Sequence, residues 1–164
     1  MINFTSLMIV LTEPNPELRV RSTDVAVSDL GSDRIKKLIA DLQKTMVDEN
    51  GCGIAAPQVG VHERVIIIDI GHGPNAYVNP EITGRSFRKF LFEEGCLSVP
   101  GVWGMVKRFR SVKVKAFDEN GKEIKCEASG LESVVFQHEI DHLDGVLFID
   151  RVEKFTRPPK HLVL

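Results

Sequence analysis

Between Leu131 and Asp144 the chain places apolar side chains on nearly every side of a helix, yet the same stretch holds two histidines, two glutamates and two aspartates. A helix that is apolar all round has to be buried. Buried imidazoles and carboxylates are costly unless they meet partners. The spacing His138-Glu139-Ile140-Asp141-His142 suggests what those partners are. Histidines at i and i+4 lie on one helix face and can share a metal ion. A glutamate directly after the first histidine then stands where it can take a proton from water.

The rest of the chain has to enclose that helix. With 164 residues there is room for one domain (expected to span 1–164), and folding at this length buries roughly 70% of the unfolded surface. A core therefore needs no disulfide scaffold. The three cysteines, Cys52, Cys96 and Cys126, form an odd set that suits a reducing compartment. Basic and acidic side chains nearly balance, 21 against 23, which argues against a strongly electrostatic nucleic-acid binder and against an anionic membrane as partner. The run Leu7–Leu11 is too short for a membrane helix or a signal core and reads as a buried strand.

Helical spacing recurs from Ser32 to Met46, with Ile35, Leu38, Ile39, Leu42 and Met46 on one face. Arg34, Lys36, Lys37, Asp41 and Lys44 form its expected solvated side. Arg64–Ile70 is a β-branched run and Ala76–Val78 a short strand. Val112, Val114 and Ala116, then Ile124, Cys126 and Ala128, alternate on either side of Asn120-Gly121, a hairpin signature. Val146–Ile149 reads as a strand or extended piece, and the basic tail after Arg151 is expected to be partly mobile. Strands dominate without βαβ alternation, so the class is α+β.

An open metal site needs a third ligand. The longer protease motif would place a histidine where this chain has Phe148. Cys96, in Glu94-Gly95-Cys96-Leu97-Ser98, is a candidate donor, although a lone cysteine also reads as a buried structural thiol. Gln58, in Gly53-Ile54-Ala55-Ala56-Pro57-Gln58-Val59-Gly60, offers an amide donor for an oxyanion, or is simply a turn residue.

Together, Gly51–Gly60, Glu94–Ser98 and Gln137–Leu143 resemble, in order and spacing, the three motifs of peptide deformylases. Pro14–Arg19 resembles that family's opening. The resemblance implies antiparallel sheets around a central metal-bearing helix, and removal of the N-formyl group from the initiator methionine of nascent polypeptides with release of formate. It implies one divalent metal ion held by Cys96, His138 and His142, typically Fe2+, with Zn2+, Ni2+ or Co2+ as alternatives. Glu139 would be the catalytic base and acid, with Gln58 and the Leu97 N–H holding the oxyanion. Cys52, Gly53, Phe92, Glu94, Leu131, Val134 and Val135 would form or border the methionine pocket. Arg108 would pair with Asp141. The partners implied are formyl-methionyl nascent chains at the ribosome, without sequence-specific nucleic-acid binding. The location implied is cytoplasmic, or an organelle if a transit segment has been removed. Cys52, Ile54 and Trp103 depart from the usual family residues. At Trp103 many members have arginine, which bears on contacts beyond the methionine.

Overall fold

The structure is a computed structural model and describes residues 8–160. Among the described residues the chain forms two antiparallel sheets, two α-helices and short 3-10 turns. The first helix, α1 (Asp33–Asp48), begins where the Ser32 hydroxyl accepts the Ile35 N–H. Strands β1 (Gly53–Ala55), β2 (Val65–Ile68), β3 (Asn75–Arg85), β6 (Ser111–Phe117) and β7 (Glu123–Ser129) form a five-stranded sheet in the order β1-β2-β3-β6-β7. Strands β4 (Lys89–Cys96), β5 (Val99–Phe109) and β8 (Val152–Arg157) form the second sheet.

The second helix, α2 (Leu131–Leu143), packs on β1, β2 and β7 of one sheet and on β5 of the other. β2 is an apolar run because both of its faces are buried. Val65 and Ile67 enter the cluster under α1. Ile66 and Ile68 point the opposite way, into the cluster around Phe136, Ile140 and Leu143 of α2. A third cluster, with Leu18, Val106, Leu147 and Phe148, fills the space beneath the second sheet.

The α+β class, both helices and the β6–β7 hairpin agree with the sequence reading, the hairpin pairing Val114 with Cys126 and Ala116 with Ile124. Four local readings are corrected. Residues 8–11 of the opening run form no strand, and Ile9 is 84% exposed (Leu7 lies outside the described residues). Instead Leu11 N–H donates to the Gln58 carbonyl and Glu13 N–H to the Ser98 carbonyl, which ties this segment to both motif loops. Residues 148–150 form a 3-10 turn, not a strand, because the Asp150 carboxylate accepts the Leu147 N–H. The tail adds β8 to the edge of β5, so it is ordered through Arg157. Asp41 is buried rather than solvated, and Lys37 bonds to it across one helical turn.

β3 runs well beyond Ala76–Val78, bent by a register shift next to Asn79, whose φ is 50°. The β4–β5 hairpin, which the sequence pattern left unassigned, carries Cys96 at its turn.

Candidate active site

Three soft donors converge beneath that turn. Cys96 ends β4, and His138 and His142 stand one turn apart on α2 with ring centroids 5.1 Å apart. One donor atom from each lies within 4.8 Å of the other two. Cys96 Sγ is 3.3 Å from His142 Nε2 and also accepts the Ser98 N–H at 3.4 Å. A thiolate and two imidazoles at these separations can bind one ion at ordinary bond lengths, so the donor set fits a single divalent metal.

A chain of ion pairs orients the first histidine. Glu94 Oε2 is 2.7 Å from His138 Nδ1, which leaves Nε2 free to face the cluster. Arg108 grips Glu94 through Nε at 2.7 Å and Nη2 at 3.0 Å. It also donates to Asp141 Oδ2 at 2.6 Å, the pairing the resemblance implied. Arg151 closes the far side of Asp141 at 2.7 and 2.9 Å. Phe148, where the protease motif would need a ligand, lies over the His138 ring at 6.1 Å.

The charges follow from these contacts. Burial opposes protonation of His138, but Cys96 and Glu94 outweigh it and hold the ring well above the ordinary histidine range. His142 lacks such a carboxylate, so burial and the neighbouring His138 charge hold it well below that range. Burial also acts against ionisation of Glu94, but His138 and Arg108 keep it below the ordinary carboxylate range.

Glu139 differs from these groups. It is 4% exposed, and its Oε2 has no hydrogen-bond partner among the described residues. Burial raises its pKa to about 7 against the opposing charge of His138. Its position depends on Gly53, since a Cβ there would overlap Glu139 Oε1.

Gln58 is 1% exposed, so it is a buried residue and not a surface one. Its Oε1 accepts the Ala55 N–H at 2.8 Å, which fixes the amide so that Nε2 faces Ser98 Oγ at 3.1 Å and Cys96 Sγ at 3.7 Å. Ser98 was not singled out from sequence. Neither was the clamping role of Glu94: it borders the cleft as expected, but its carboxylate is occupied by Arg108 and His138.

These groups open onto a cleft of about 330 Å³. Cys52, Gly53 and Leu97 line it beside Gln58, Cys96, His138 and Glu139. Phe92, Leu131, Val134 and Val135 supply apolar wall, and Trp103 stands at 39% exposure. The indole covers Gly95 so closely that a Cβ there would lie 2.9 Å from the ring. Gly95 therefore makes room for Trp103.

Residues 7–158 match the family model described as polypeptide deformylase. The chain belongs to that family. It is 43% identical over 155 residues to the peptide deformylase of Saccharophagus degradans, covering 93% of this chain and 88% of that one. It is 50% identical over 123 residues to that of Caldicellulosiruptor bescii, covering 75% and 74%. The crystal structure of the Thermotoga maritima peptide deformylase superposes with a TM-score of 0.86 at 38% identity, covering 90% of this chain and 99% of that one. A Met-Ala-Ser-bound class I type b peptide deformylase from Acinetobacter baumannii gives 0.86 at 34% identity, covering 91% and 100%. Among the described residues no helix is long and apolar enough to cross a membrane.

Proposed function

We propose that this chain is a single catalytic domain that hydrolyses the formyl amide of N-terminal formyl-methionine on nascent polypeptides, releasing formate. The observation that carries this reading is the carboxylate of Glu139, its Oε2 without a hydrogen-bond partner among the described residues, buried beside a three-donor cluster at the head of an apolar cleft. Family membership supports it, and the family is metal-dependent.

Cys96, His138 and His142 would hold the ion, with Fe2+ the physiological choice and Zn2+, Ni2+ or Co2+ compatible with the same donors. When bound, it supplies Lewis acidity for the attack of water on the formyl carbon. Glu139 takes the proton from that water and later delivers it to the leaving amine, two tasks that suit a carboxyl with a pKa of about 7. Gln58 Nε2 and the Leu97 N–H hold the oxyanion, and the Ala55 and Ser98 bonds keep the Gln58 amide pre-oriented. The thioether enters the slot between Phe92, Leu131, Val134 and Val135, bordered by Cys52 and Gly53. Nascent chains at the ribosome in the cytoplasm are the substrate pool this reading implies.

Anaerobic purification, metal analysis and a formate assay on formyl-Met peptides test it. One bound ion per chain with formate release is expected, and a metal-loaded protein that releases none overturns the reading. A peptide-bond protease would require a different third ligand, and the position for it is taken by Phe148.

Two variants probe the walls of the site. Gly53→Ala forces Glu139 to move while disturbing little else, since the obstructing atoms are the end of one side chain. Turnover should fall by up to about 10²-fold, as for a displaced reacting group, with Tm nearly constant. Trp103 offers a large apolar face and one N–H, whereas arginine offers several donors. Trp103→Arg should change kcat/KM on formyl-Met tripeptides according to the third residue and leave a minimal formyl-Met substrate nearly unaffected. An equal shift for every peptide would remove Trp103 from the binding surface.

A further inference from the structure

The cations of this chain are unevenly partnered. Arg19, Arg21, Arg34, Arg64, Arg108 and Arg151 all form ion pairs with carboxylates. No ion pair to Arg85, Arg88, Lys89 or Arg110 occurs among the described residues, and all four are exposed.

The four meet at one corner, where the chain passes from β3 to β4 and from β5 to β6. The two connections are stitched together: Arg110 N–H donates to the Arg88 carbonyl at 3.0 Å, and Ser86 N–H to the Ser111 carbonyl at 2.9 Å. The Ser86 hydroxyl donates to the Arg88 carbonyl at 2.8 Å and accepts the Ser111 N–H at 3.1 Å. Arg85 and Lys89 both stand over the Phe109 ring, at 5.5 and 4.3 Å from its centroid. From the middle of this group Phe87 projects fully into solvent, at 102% exposure.

We propose that this corner binds the backbone and bases of single-stranded RNA without sequence preference. Unpaired guanidinium groups match phosphodiester oxygens in geometry, and a bare aromatic ring among them offers a face on which an unpaired base stacks. The balanced charge of the whole chain does not oppose this, because the four cations are local and exposed charges beyond about 10 Å are screened. A membrane surface fits less well. One phenyl ring presents far less apolar area than the broad face an interfacial segment inserts.

Fluorescence anisotropy with a labelled mixed-sequence RNA 20-mer, on the metal-loaded protein, tests the proposal. Weak binding at low salt is expected, with log K falling against log salt at a slope of about −3 for four phosphate contacts. The double variant Arg88→Ser, Arg110→Ser should flatten that slope by about 1.4 and weaken binding at least about tenfold. Phe87→Ala should weaken it about five- to a hundredfold at an unchanged slope. Arg157→Ser, at a distant cation, should bind like the parent, and formate release from a short formyl-Met peptide should stay constant in every variant. Absence of binding at low salt overturns the proposal. So does equal binding by parent and double variant, or association with phosphatidylglycerol vesicles but not RNA.

Discussion

Glu139→Gln is expected to retain its metal and lose turnover by about 10²–10⁴-fold or more, because in the proposed mechanism one carboxyl serves both the attack and the departure. The amide keeps the shape of the side chain but can neither accept nor return the proton. The site should tolerate it structurally, since the unpartnered Oε2 leaves no hydrogen bond to break there. Removing the charge of a buried carboxylate should leave stability equal or slightly higher. The measurement is formate release at matched metal occupancy, alongside thermal unfolding. Near-normal turnover in a metal-loaded variant would take the proton-carrying role away from Glu139.

The largest loss of stability is expected at Arg108. Its side chain is 4% exposed and that of Glu94 3%, so their pairing takes place almost out of water. Arg108→Met would leave Glu94 buried against His138 without its guanidinium counter-charge and would strip one partner from Asp141. Breaking a buried pair from one side typically costs about 3–5 kcal/mol. At this chain length that is on the order of 10 °C in Tm. Asp141→Asn should cost less, since Arg108 keeps Glu94, but more than an exposed substitution, because Arg108 and Arg151 both lose their shared negative charge and one of its two acceptor oxygens. Calorimetry of chelator-treated proteins separates these effects from metal affinity. A Tm for Arg108→Met within a degree or two of the parent would show that the clamp contributes little. Metal retention, measured separately, should fall as well, because Glu94 then holds the His138 ring less firmly.

The elements legible in the sequence are those whose signal is local. α1 and α2 showed themselves through apolar spacing, and the β6–β7 hairpin through alternation around Asn120-Gly121. The two histidines and Glu139 are presented by one helical turn, so their juxtaposition follows from the helix itself. Cys96, Gln58 and Leu97 had to be brought in through the resemblance. They come from separate segments, and residue type alone favoured a structural thiol and a turn glutamine.

Tertiary structure decided whatever depends on chain segments far apart. Nothing near Gly53 in the sequence shows that its missing Cβ makes room for Glu139, and nothing near Gly95 shows that it accommodates Trp103. The resemblance places Glu94 at the pocket, yet the fold gives its carboxylate to Arg108 and His138. The opening run at residues 8–11 has the composition of a strand but finds no sheet edge, whereas the polar, basic tail becomes β8 because β5 offers it one. Strand formation needs a partner backbone, and a helix supplies its own hydrogen bonds. That difference is why the helices and the His138–His142 turn could be read along the chain, while the edge strand and the buried ion-pair clamp emerged only from the folded arrangement.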